Sequence, residues 1–221
     1  MIFSWFTYKH YPDFWKAYVK KFKQKQPNTI ESTRFVVFDT ETTGLNISSD
    51  RILSIGAIRI FNNSINVSES FEIYLKQEEF KIESVEIHGI LKEGNLIKQT
   101  EKEAIKNFVN YIENSVLIAH HTAFDIEMIN AALKRMKLPK LKNKTIDTGI
   151  LYKKIKGKKD NHFNLDILCD EFNIPKHDRH TSSGDAFITA LLFLKIIAKL
   201  KTERTIHYSD LFRANEKNGL L

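Results

Sequence analysis

Five side chains have the types and spacing to act together: Asp39, Glu41, Asp125, His180 and Asp185. Asp39-Thr40-Glu41 follows Phe35-Val36-Val37-Phe38, an apolar, β-favouring run that predicts a buried strand. Side chains at i and i+2 of a strand share a face, so Asp39 and Glu41 project side by side before Thr42-Thr43-Gly44 breaks the strand. Two carboxylates at the exit of a buried strand are costly to keep charged. A hard divalent cation removes that cost; two solvated acids at a strand end are the plainer alternative. Asp125 closes the run His120-His121-Thr122-Ala123-Phe124-Asp125, beyond a second buried strand, where ligand sites of α/β folds gather. Asp185 starts the last helix, and His180 stands five residues earlier in a loop. Taken singly, Asp125 and Asp185 also suit the dipole at a helix N-terminus, and His180 suits a surface loop.

The elements that must position these groups follow from periodicity. Arg51–Phe61 and Ser64–Leu75 predict two antiparallel strands joined by a hairpin turn at Asn62-Asn63. Residues 83–91 predict a short helical or irregular stretch. Thr100 and Glu103 form a capping-box pattern ahead of Ile105, Phe108, Val109 and Ile112 at helical spacing. Ser115–His120 reads as a fourth strand, Phe124–Met136 as a helix with Asp125 in its first turn, and Thr145–Asp147 as a short fifth strand. Asn164 caps a helix through Phe172, Pro175 follows it, and Ser182-Ser183-Gly184 precede a long buried helix from Asp185 to Leu200. The expected class is α/β, with a mixed central five-stranded sheet flanked by helices.

The chain's 221 residues suit one domain with an appendage, or at most two small domains. A net charge of +7 favours a polyanionic partner, nucleic acid or an acidic membrane surface. Cys169 is the one cysteine, which excludes an internal disulfide and a multi-cysteine zinc site and makes a reducing cytoplasm the expected setting. The N-terminus lacks the pattern of a signal peptide, and the longest apolar run, Ala186 to Ala198, is broken by Thr189 and Lys195. That run is shorter than the roughly 20 residues a bilayer requires, so no transmembrane segment is expected.

Residues 1–32 form a basic, aromatic extension. Trp5, Phe6, Tyr8, Tyr11, Phe14, Trp15, Tyr18 and Phe22 interleave with Lys9, Lys16, Lys20, Lys21, Lys23 and Lys25. Pro12-Asp13 opens a helix that sets Phe14, Trp15, Tyr18 and Phe22 on one face. A helix docked on the main domain comes first; a nucleic-acid or membrane-surface contact and a flexible arm are the other readings. The Lys-rich region at 134–159 is either a solvated face or a surface that tracks phosphates. The tail at 202–221 is polar apart from Ile206, Tyr208, Leu211 and Phe212.

In order along the chain, FVVFDTETTGL, IHGI at 87–90, LIAHHTAFDIEMIN and HTSSGDAFITALLF resemble the motifs of the DEDDh group of 3′→5′ exonucleases. The likeness runs from Phe35 to about Leu200 and is to the epsilon-type proofreading exonucleases of bacterial replicative polymerases and their stand-alone relatives. The resemblance implies an RNase H-like exonuclease domain over residues 33–201. It implies metal ligation by Asp39, Glu41 and Asp185, with Asp125 assisting directly or through water, and His180 as general base. The expected cofactors are two divalent cations, Mg²⁺ or Mn²⁺, with Asp39 bridging them; such a pair activates a water, neutralises charge at phosphorus and stabilises the departing 3′ oxygen. Thr42, Leu45, His88, Ile90 and Phe124 look like the residues that meet the terminal nucleotides. His121 departs from the pattern, standing where these enzymes commonly carry asparagine. The implied substrate is a single-stranded or frayed 3′ end, DNA ahead of RNA, although nothing in the sequence reads a 2′-hydroxyl. Tyr208-Ser209-Asp210-Leu211-Phe212 distantly resembles the bacterial clamp-binding pentapeptide without its leading glutamine. An RNA-trimming exonuclease on the same fold is the second reading, and docking on a DNA polymerase or sliding clamp the third; for the pentapeptide the plainer alternative is a packed C-terminal helix.

Overall fold

The computed structural model describes residues 10–78, 81–92, 96–156 and 163–212. Trp5, Phe6, Tyr8, Lys9, Lys158, Lys159 and residues 213–221 lie outside these. The strands are β1 (Phe35–Thr42), β2 (Ile52–Phe61), β3 (Ser64–Leu75), β4 (Lys98–Gln99), β5 (Val116–Ala119) and β6 (Thr145–Asp147). They form one mixed sheet in the order β4-β3-β2-β1-β5-β6. β2 is antiparallel to β1 and β3, whereas β5 runs parallel to β1, and β6 to β5. Asn62 and Asn63 both have positive φ, 49° and 57°, the backbone that a tight hairpin turn requires. One strand exceeds the five expected. Lys98 and Gln99 pair with Tyr74 and Leu75 of β3, and two residues carry no periodicity by which to be foreseen.

The helices are α1 (Asp13–Lys21), α2 (Ile82–His88), α3 (Glu101–Ile112), α4 (Thr122–Arg135), α5 (Thr148–Lys156), α6 (Leu165–Glu171) and α7 (Ser182–Glu203). Alternation along β1 divides them between two layers. Phe35 and Val37 join α5, α6 and α7 in one core, and Val36 and Phe38 join α1, α3 and α4 in the other. The capping box at Thr100 and Glu103 is complete, and Asn164 Oδ1 accepts from Ile167 N at 3.0 Å to start α6. α7 starts at Ser182, three residues before the expected Asp185, because Thr181 Oγ1 accepts from Gly184 N and caps it there.

The first and last described segments pack inward. Trp15 and Tyr18 of α1 are buried, and the Tyr18 hydroxyl donates to Asn143 Oδ1 at 2.7 Å while accepting from Lys142 N. A docked helix, the first of the three readings, describes residues 13–21. Tyr208–Leu211 forms a 3-10 turn whose Leu211 is buried in the α7-side core, with Tyr208 and Phe212 packed beside it. The basic region is partly paired. Arg135 bonds Glu101, Lys140 bonds Glu127, and Lys144 lies over the Tyr208 and Phe212 rings. Among the described residues no helix is long and apolar enough to cross a membrane.

Candidate metal centre

The side of β1 that carries Phe35 and Val37 also carries Asp39 and Glu41, and it faces α7. α7 reaches the sheet closely because β2 offers Gly56 opposite Asp39. A Cβ on Gly56 would lie 2.2 Å from the Ser182 carbonyl carbon and from Ser183 N. Ser54 and Ser182 join hydroxyls at 2.9 Å, and Ser183 Oγ donates to Glu72 Oε1 at 2.5 Å. With the first turn of α7 pinned in this way, Asp185 meets the strand acids. One carboxylate oxygen from each of Asp39, Glu41 and Asp185 lies within 4.8 Å of the others.

Asp125 approaches from the opposite layer. Its Oδ1 accepts from Thr40 N at 3.0 Å and from Thr40 Oγ1 at 2.7 Å, so it grips the residue between the two strand acids. Thr122 N, at the start of the same helix, donates to Asp147 Oδ2 at 2.8 Å, which ties α4 to β6.

The electrostatics are those of carboxylates crowded together in a buried place. Burial, and then the charges of Asp125, Glu41 and Asp185, hold Asp39 well above the usual carboxylate range. Glu41 is pushed up to about 7 by burial, then by Asp185 and Asp125, with Arg179 pulling the other way. Burial takes Asp125 to about 7 against the lowering effect of its bonds from Thr40. Asp185 Oδ1 is buried and has no hydrogen-bond partner among the described residues. An orphaned buried carboxylate oxygen beside two more acids fits a hard divalent cation, which takes oxygen ligands and neutralises the cluster.

His180 lies on the exposed loop before α7, at φ 63°, in the left-handed region that histidine tolerates better than most residues. The adjoining Arg179 guanidinium bonds Asp166 through Nε and Nη2 and Asp185 through Nη1. His121, at the N-cap of α4, has φ 65°, a conformation that asparagine also adopts readily.

The residues expected to meet substrate divide by exposure. Leu45 is 83% exposed. Phe124 is half-buried and lines a cleft of about 430 Å³ with His121, Ile150, Lys153 and Phe163. Thr42 is buried, and its hydroxyl donates to Gly44 O at 2.8 Å, shaping the turn after β1. His88 and Ile90 are buried, with His88 Nδ1 accepting from Ile90 N at 3.0 Å; the buried His88 Nε2 has no partner among the described residues.

Four contributors were not singled out from the sequence: Thr40, Gly56, His120 and Arg179. His120 Nε2 lies 2.7 Å from Phe163 O and must donate to it, so the neutral ring accepts from Thr148 Oγ1 at Nδ1. Burial, then the neighbouring His121, lowers its pKa to about 4, and the ring serves as a neutral tie between β5 and the segment entering α6. Arg179 had an available signal, a cation directly beside the candidate base. Gly56 had another, a glycine inside a strand pattern.

The family model described as Exonuclease (RNase_T) matches residues 36–193. The chain is 33% identical over 202 residues to the DNA polymerase III subunit epsilon of Buchnera aphidicola subsp. Acyrthosiphon pisum, covering 84% of this chain and 83% of that protein. Among solved structures, E. coli exonuclease I in complex with a dA16 oligonucleotide superposes with a TM-score of 0.68 at 16% identity, over 77% of this chain and 42% of that one. Exonuclease X in complex with 5′ overhanging duplex DNA superposes with a TM-score of 0.60 at 19% identity, over 77% of this chain and 94% of that one. At such identities the likeness is one of fold, the RNase H-like mixed sheet. The family match takes in every acid of the cluster and helices of both layers packed around it, and by that match and its epsilon-subunit relative this chain belongs to the exonuclease family.

Proposed function

We propose that this chain removes nucleoside monophosphates from DNA 3′ ends by hydrolysing the terminal phosphodiester, and that Asp39, Glu41, Asp125 and Asp185 hold two divalent cations, Mg²⁺ or Mn²⁺. The observation that carries the assignment is the meeting of Asp39, Glu41 and Asp185 around a buried Asp185 oxygen that lacks a partner. When bound, the cations supply charge neutralisation at phosphorus, a more acidic water and a stabilised leaving oxygen.

The chain's own groups do the remainder. β1 fixes Asp39 and Glu41 on one face, and Thr40 holds Asp125 beside them. His180, exposed on its loop, takes the proton of the attacking water. Leu45 and Phe124 offer apolar surface to the terminal bases, a contact that does not depend on sequence because every base has a π-face. The preference for DNA is supported by the relative's being a subunit of a DNA polymerase and by the DNA-bound neighbours. Association with a replicative polymerase has the same support. The clamp reading is the weaker one, because Leu211 is turned into the protein's own core.

The test uses 5′-labelled single-stranded DNA and RNA of one sequence, with Mg²⁺ or Mn²⁺, an EDTA control and the H180A variant. A ladder shortening from the 3′ end of DNA, abolished by EDTA and by H180A, is the expected result. A preference for RNA would correct the substrate, and no cleavage of either strand would remove the assignment.

A further inference from the structure

Arg179 is held between two acids on two helices. Its Nε and Nη2 bond the two oxygens of Asp166 on α6 at 2.8 and 3.1 Å, and its Nη1 bonds Asp185 Oδ2 on α7. Its side chain is only 17% exposed. Taking Oδ2 fixes the Asp185 carboxylate and leaves Oδ1 buried and without a partner among the described residues. The backbone around Arg179 is equally constrained. Asp178 O accepts from Thr181 N and Oγ1 at 3.2 and 2.7 Å, and it sits where a Cβ on Gly184 would be, at 2.0 Å. The loop bearing His180 is thus folded onto the first turn of α7 and tied to α6 by one guanidinium.

We propose that Arg179, anchored by Asp166, is a positioning residue that presents Asp185 to the metal centre through Oδ1 alone and holds the His180 loop beside it. This rests on the assignment of the metal centre made above. A planar fork meeting two carboxylates is a task lysine cannot reproduce, because its ammonium is a point charge on a flexible stem. Asp166 lies outside the acid cluster, so it reports on the anchor without removing a ligand.

The test is calorimetric titration of the metal-free full chain with Mn²⁺ alone, beside kcat and KM on a single-stranded oligonucleotide. R179K should bind Mn²⁺ about 10- to 100-fold more weakly, as loss of a ligand's supporting contact does. It should lose kcat while KM for the oligonucleotide is unchanged. D166N should show a smaller loss in the same direction. If R179K binds Mn²⁺ as the wild type does, or R179Q binds it more tightly, the guanidinium is only a competing charge and the proposal falls. Should R179K fail to fold, unchanged Mn²⁺ affinity and kcat in D166N overturn it instead. D39N serves as the control for the site: wild-type Mn²⁺ binding in that variant would count against the metal centre itself.

Discussion

Gly56 on β2 lies across the sheet from Asp39 on β1, and the backbone of Ser182 and Ser183 rests where a side chain at 56 would be. The close approach sets how far α7 stands from the strand acids, and so whether Asp185 reaches them. In G56A the added methyl meets backbone at 2.2 Å, and backbone cannot swing aside as a side-chain tip can. The helix must lift, at about 1–3 kcal/mol for an overpacked core. A displacement of about 1 Å at a reacting centre is enough to cost roughly 100-fold in rate. G56A should therefore lose more activity than stability, read by comparing its unfolding midpoint with its rate on single-stranded DNA. A midpoint and rate both equal to the wild type would show that α7 is not held at this contact.

The acid cluster should trade stability for cation binding. Glu41 sits at about 7 in the fold against an ordinary 4.5, so the folded chain holds its proton more tightly than the unfolded chain. Its contribution is then fully present below about pH 4.5 and is lost as pH rises through about 7. That loss is on the order of 3 kcal/mol by pH 8 without metal. E41Q removes the titration. In EDTA at pH 8 it should melt several degrees above the wild type, with the difference closing towards pH 5. Mg²⁺ should raise the wild-type midpoint more than that of E41Q, since only the wild type keeps the full ligand set. A metal-free E41Q that melts below the wild type at pH 8 would contradict this account.

Local chemistry explains what was legible in the sequence. The Asp39/Glu41 pair follows from the two-residue period of a strand, and the caps at Thr100 and Asn164 from side chains reaching three residues ahead. The aromatic face of residues 13–22 marked a docked helix for the same reason. What escaped depends on long-range approach. Lys98–Gln99 is a strand only because β3 lies beside it. The role of Gly56 needs α7, 126 residues away at Ser182. The early start of α7 was hidden by Ser182-Ser183-Gly184, poor helix formers that Thr181 caps and the sheet holds in place. The role of Thr40 is hidden because the partner of its hydroxyl lies 85 residues on, in the other layer.

That hydroxyl gives a third prediction. T40V preserves shape but removes the Oγ1 donor to Asp125 Oδ1 while keeping the Thr40 N–H. A hydrogen bond to a charged group contributes about 1.5–3 kcal/mol, so T40V should lose about that much stability at pH 8. Because the Thr40 bonds lower the pKa of Asp125, its removal should carry Asp125 above about 7 and weaken cation binding near neutrality. T40S restores the donor and should recover both properties. A T40V protein with wild-type stability and Mn²⁺ affinity would separate Asp125 from the cluster.

Leu45 tests substrate contact with little interference from folding. It is 83% exposed on the turn after β1, a turn held by the buried Asp50, which accepts from Thr43 Oγ1, Asn46 N and Lys81 Nζ. The turn does not depend on the Leu45 side chain, so L45A should change stability by less than about 0.5 kcal/mol. If the side chain is covered by a terminal base, its removal forfeits roughly 1.5 kcal/mol of apolar burial or more. KM for single-stranded DNA should then rise about ten-fold, with a smaller effect on kcat. D50N should behave oppositely: Lys81, Asn46 and Thr43 hold the Asp50 carboxyl below the usual range in spite of its burial, so loss of that charge should disturb the turn and the melting point together. An L45A enzyme with unaltered KM would take Leu45 out of the substrate path and leave Phe124 as the apolar contact to test next.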